Sequence, residues 1–214
     1  RKISAAICEE WIERDKVLSG RQKDAIRKYV RMHTDKPEEL YQIYHAMIRG
    51  ENYKAETLEV LMEEGQPVIK IAGNEIRAAF EQLNDFVQKL ILLTERTLPL
   101  GSVVEVDIRE LKLETEKPVS SIKAVIVDRF MKKETEKQYV PYCGIIYPFG
   151  DSKKQLFFTE QAIHSVIHYG YTDRQEDAYV ALIKREIIKK GYSSYSFAEA
   201  EDDKIRMLQS DINL

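Results

Sequence analysis

The chain has 214 residues, 43% of them hydrophobic and 32% charged, which suits a soluble globular protein with one large domain or two small ones. Its net charge of -3 argues against a protein that coats nucleic acid. No run approaches the ~18 consecutive apolar residues of a membrane span, and no signal-peptide core is present, so a cytoplasmic location is expected. The start at Arg1 without a methionine reads as an excised fragment or a processed product. Cys8 and Cys143 lie far apart and read as two buried thiols rather than a bridge.

The first 97 residues read as helices. Ser4 is expected to cap a first helix carrying Ile7, Trp11 and Ile12, ending near Ser19 and Gly20. A basic second helix spans 21–33, with Ile26, Tyr29 and Val30 as apolar positions. Pro37 and the acids Glu38 and Glu39 announce a third helix, in which Leu40, Ile43, Tyr44, Met47 and Ile48 follow helical spacing up to Gly50. A fourth helical segment is expected over 54–64, carrying Leu58, Leu61 and Met62, and 67–71 reads as a short extended piece. A long helix then covers 74–97. Its stripe is Ile76, Phe80, Leu83, Val87, Leu90 and Ile91, widened by Phe86, Leu92 and Leu93, and it serves either as an internal core helix or as a docking surface.

At Leu98 the period changes. Pro99 and Gly101 are turn residues, one fixing φ and the other tolerating positive φ, and 102–108 alternates as a strand does. Further strands are expected over 122–131, 138–147 and 155–158, with Pro141 and Gly144 marking a bulge or an edge in the third. Thr159 is expected to cap a brief helix holding Ile163, Val166 and Ile167, and a last helix runs over 173–190. The fold class is α+β: a helical module over 1–97, a small antiparallel sheet with C-terminal helices over 98–191, and an acidic tail, mobile or amphipathic, over 192–214.

No chemistry-bearing constellation stands out, so the reading is of a protein that is not an enzyme and takes no cofactor or metal. His164 and His168 would share one helical face, but a third metal ligand is missing. Cys143 sits in an apolar run, where a thiol behaves as a small hydrophobe. The acid pairs Glu9-Glu10, Glu38-Glu39 and Glu63-Glu64 point to different sides of a helix and read as surface. The cations Arg21, Lys23, Arg27, Lys28 and Arg31 are interrupted by Asp24 and flanked by acidic helices. They read as a face that pairs with an acidic neighbour or partner rather than as a recognition helix for nucleic acid. The aromatics of the second half either build its core or anchor a protein interface.

Four pieces of the second half carry a resemblance: Leu98 to Val104 (LPLGSVV), the Val/Ile-rich 124–127, the aromatic turn Tyr142 to Gly150 (YCGIIYPFG) and the close Tyr169 to Asp173 (YGYTD), with Phe157-Phe158 between the last two. In order and spacing these resemble, over about 98–190, a family of unknown function from Gram-positive bacteria. Its members are often encoded beside type VII secretion components and the Leu-x-Gly toxins these export. The resemblance implies an accessory role as targeting factor, chaperone or adaptor, with the toxin or a secretion component as protein partner. Helix-in-groove binding would then use the faces Leu40, Ile43, Tyr44 and Met47, or Ile76, Phe80, Leu83, Val87, Leu90 and Ile91. An immunity protein and a nucleic-acid-binding regulator are the alternatives, and a homo-oligomer is compatible with either.

Overall fold

A computed structural model describes residues 2–107, 120–133, 135–151 and 153–197. The contacts of the described residues divide them into two compact units, those up to 97 with 180–190, and those from 98 to 179 with 191–197. The fold is α+β, with five α-helices and two sheets among the described residues.

In the first unit, helix α1 (Lys2–Arg14) begins before Ser4, which therefore lies within it and does not cap it. Ser19 caps α2 (Gly20–Met32) instead: its hydroxyl accepts from the Gln22 amide while the Gln22 side chain accepts from the Ser19 amide. Helix α3 (Glu38–Arg49) ends where expected, with Gly50 in the left-handed conformation at φ 68°. The segment expected as a fourth helix is a strand. Strands β1 (Tyr53–Lys54), β2 (Leu58–Glu63), β3 (Gln66–Ile71) and β4 (Asn74–Ile76) form an antiparallel meander in chain order. Two-residue turns at Glu64-Gly65 and Ala72-Gly73, each with both φ values positive, close the hairpins. The long helix is correspondingly shorter: β4 takes its first turn, and α4 spans Phe80–Thr94.

In the second unit, β5 (Val103–Asp107), β6 (Ser121–Lys133), β7 (Gln138–Ile146), β8 (Gln155–Phe158), β9 (Ile163–His168) and the two-residue β10 (Ser193–Ser194) make one sheet. The order is β10-β7-β6-β5-β9, with β8 on β7, and all pairs are antiparallel except β10 with β7. The brief helix expected after Thr159 is reduced to a 3-10 turn, Glu160–Ala162, and Ile163, Val166 and Ile167 lie on the edge strand β9. β7 is not an edge. Pro141 falls between the stretches that β8 and β10 pair with, and the bulge lies one strand over, in β6 between Ile126 and Asp128. Leu98, Val104, Val106, Ala124, Ile126, Tyr142, Leu156, Phe158 and Ala162 form the core under one face. Helix α5 (Arg174–Lys190) follows β9. Residues 192–197, expected as the start of a tail, instead supply β10 and a 3-10 turn (Tyr195–Phe197) with Tyr192, Tyr195 and Phe197 buried. The acidic stretch 198–214 lies outside the described residues.

Candidate functional site

The four sequence pieces singled out above meet at the turn that precedes β5. Pro99 and Gly101 turn the chain, Gly101 at φ 79°, and the Gly101 amide donates to the Ile126 carbonyl at 2.8 Å. The return bond runs from the Ile126 amide to the Ser102 carbonyl at 2.9 Å, so the turn is stitched onto the bulged stretch of β6. Ser102 is fully buried. Its hydroxyl donates to the Pro99 carbonyl at 2.8 Å and accepts from the Gly170 amide at 3.0 Å. Gly170 passes so close that a Cβ there would lie 2.0 Å from the Leu100 carbonyl oxygen. The glycine of Tyr-Gly-Tyr-Thr-Asp is thus a packing requirement of the Leu-Pro-Leu-Gly-Ser turn.

Leu98 is held from both sides of its peptide. Its amide donates to the Tyr142 hydroxyl at 3.1 Å, and its carbonyl accepts from Arg129 Nη1 at 3.1 Å. Arg129, 4% exposed, projects from β6 beside Tyr142. It forms a two-pronged ion pair with Glu176, Nη2 to Oε2 at 3.0 Å and Nη1 to Oε1, and its guanidinium lies 5.6 Å from the Tyr179 ring centroid. Its Nε is buried with no partner among the described residues. Arg129 and Glu176 escaped sequence reasoning, although a cation inside the apolar run IKAVIVDRFM was a visible signal. Apart from that Nε, the buried polar side chains named here hold backbone or another side chain. What the turn presents outward is apolar: Leu100 (47% exposed), with Tyr169 (47%) and Tyr171 (81%) on either side of Gly170.

The other singled-out residues are dispersed. Leu40, Ile43, Tyr44, Met47, Ile76, Leu83, Val87, Leu90 and Ile91 are all buried, and Phe80 is half-buried. The two faces offered for docking pack inward on each other and on β2 and β3, so a partner reaches them only by opening the unit. His164 and His168 stand on strand β9 instead of a helix, which sets them about 13 Å apart along the strand, too far to share a metal. Among the described residues no cluster of three or more His, Cys, Asp or Glu side chains is placed to hold a metal ion. Both cysteines are free and buried, and burial pushes the Cys143 thiol up to about 11 and the Cys8 thiol up to about 12. Arg27 of the basic helix binds Glu9 at 2.7 Å, Asp24 at 2.7 Å and Glu13, and its bond to Glu9 holds that carboxyl below its usual range. Glu63 pairs with Arg77, and Glu10 with Arg14 and Arg185, so these acids are ion-paired surface. No helix among the described residues is long and apolar enough to cross a membrane.

The second unit is therefore a small sheet domain organised around a glycine-serine turn. Residues 97–179 match the family model described as "Domain of unknown function (DUF4176)". No curated protein matches the chain, and no solved structure does.

Proposed function

We propose that the chain is a non-enzymatic accessory protein that binds a protein partner, namely a toxin of the Leu-x-Gly type or a component of type VII secretion, as targeting factor, chaperone or adaptor. The partner's identity rests on the resemblance carried by Leu98 to Val104, Tyr142 to Gly150 and Tyr169 to Asp173. The observation that carries a binding role is the exposure of Leu100, Tyr169 and Tyr171 on a turn that Ser102, Gly170 and Arg129 hold rigid. Aromatic side chains on a pre-ordered scaffold bury much area at little entropic cost on binding. Because Leu40, Ile43, Tyr44, Met47, Leu83, Val87, Leu90 and Ile91 are buried, this reading uses the turn as the contact surface in place of those helical faces.

The test is co-expression with the toxin encoded alongside. Leu100→Asp combined with Tyr171→Asp is expected to abolish co-purification while leaving the far-UV circular dichroism unchanged. Undiminished co-purification by this folded double variant refutes the surface. Separated toxin domains then distinguish roles: capture by the export-directing N-terminal part supports a targeting factor, and capture only by the C-terminal catalytic part supports an immunity protein.

A further inference from the structure

The first unit contains a cavity that the protein-binding reading does not use. It has a volume of about 490 Å³ and lies between the end of α1, the loop to α2, the end of β4 and α4. Its floor is apolar: Trp11, Leu18, Ile76, Leu83 and Phe86, with the Trp11 and Phe86 ring centroids 5.5 Å apart. This size and lining suit a small organic ligand.

The charges around the mouth are unevenly matched. Arg77 is bonded to Glu63 at 2.7 Å and to Glu75 at 2.9 Å, and Lys89 is bonded to Asp85. Asp15 differs. Its carboxylate accepts the Val17 amide at 2.8 Å and the Leu18 amide at 3.0 Å, and among the described residues no cation pairs with it. Gln22 and Gln82 already spend their side-chain oxygens on the Ser19 and Ala79 amides. The cavity thus combines an indole floor with one uncompensated carboxylate.

We propose that this cavity binds a small organic cation, its apolar body on the Trp11, Leu83 and Phe86 floor and its ammonium at Asp15. Charge complementarity selects the ligand, because an anion would meet the unpaired Asp15 while Arg77 and Lys89 are already bound to carboxylates, and a neutral molecule would gain only the floor. The Lys89 ammonium, 5.9 Å from the Trp11 ring centroid, opposes the ligand and is held back by Asp85. This site is independent of the role proposed for the second unit.

Trp11 is the single tryptophan of the chain, so its fluorescence in the full-length protein reports on the site directly. Three probes with one apolar body and different charge decide the matter: phenethylammonium, 2-phenylethanol and phenylacetate. Phenethylammonium is expected to shift Trp11 emission at about fivefold lower concentration than 2-phenylethanol, as a half-exposed ion pair implies, with phenylacetate weakest. Asp15→Asn, which keeps an acceptor for the two amides, should bring the amine to the level of the alcohol. Asp15→Ser, whose hydroxyl can also accept from the two amides, should do the same, and it decides alone if Asp15→Asn loses its circular dichroism. Equal action of the three probes, no emission change with any of them, or an amine preference untouched by a folded Asp15→Asn overturns the proposal.

Discussion

A methyl group on Gly170 would sit 2.0 Å from the Leu100 carbonyl oxygen and 2.9 Å from the Ser102 amide nitrogen. Both obstacles are backbone, held by the Gly101–Ile126 and Ser102–Pro99 bonds, so neither can yield by changing rotamer. Gly170→Ala must therefore pull the 169–171 stretch off the turn and break the Gly170 amide to Ser102 hydroxyl bond. The expected cost is about 3 kcal/mol, the upper part of the range for overpacking. Urea unfolding should show it as a lowered midpoint. By contrast, a Cβ on Gly65 meets nothing within 4 Å, but its φ of 79° still strains any side chain there. Gly65→Ala should thus cost only about 1 kcal/mol. Equal loss in the two variants would show that steric closeness at Leu100 is not what Gly170 relieves.

Sequence periodicity served the separate elements unequally. Helices α2 and α3 were legible because capping chemistry marks their ends: Ser19 with Gln22, and Gly50 in the left-handed region. The strands β5, β6, β7 and β8 were legible from alternation and from the Pro and Gly joints. The segment 54–64 misled because Leu58, Leu61 and Met62 satisfy the 3, 4 spacing of a helix as well as a strand's loose alternation. The deciding signal lay outside it, in two X-Gly pairs at 64–65 and 72–73 that bracket Gln66–Ile71 with hairpin turns. The burial of the two faces offered for docking was not legible for a related reason. A stripe on one helix shows which side is apolar but not what covers it, and the sheet that helps cover it was read partly as helix. The strand reading makes a distinctive demand: Leu58 and Val60 are buried, whereas Leu61 and Met62 are half-exposed. Val60→Ala is therefore expected to cost about 2 kcal/mol, and Leu61→Thr less than about 1 kcal/mol. A helix with Leu58, Leu61 and Met62 inward would reverse that order in thermal or urea unfolding.

At the scale of the whole molecule, sequence order and spatial grouping diverge. The change of period at Leu98 coincides with the point where contacts divide between Thr97 and Leu98, yet the chain does not finish one unit before starting the other. Residues 180–190 of α5 are grouped with the first unit, and 191–197 return to the second. There Ser193 and Ser194 pair with Gln138 and Tyr139, and the Ser193 amide donates to the Lys137 carbonyl at 3.0 Å. Tyr195 donates its hydroxyl to Glu136 at 2.9 Å, while Tyr192 and Phe197 are buried. Local composition could not reveal this return, because the partner strand lies some fifty residues upstream and the pairing is two residues long. The matched family segment ends at Tyr179, before the returning strand, so the strand supplements a sheet whose β5, β6, β7, β8 and β9 lie within that segment. A double substitution, Tyr192→Ala with Phe197→Ala in the full chain, removes the side chains that anchor the return. Amide hydrogen exchange should then accelerate in β7 around Tyr139, by the equivalent of about 3 kcal/mol or more, while β2 and β3 keep their protection. Equal acceleration in both sheets would mean that the returning segment stabilises the chain as a whole, and no acceleration in β7 would mean that the pairing with Gln138 and Tyr139 contributes nothing to the second unit.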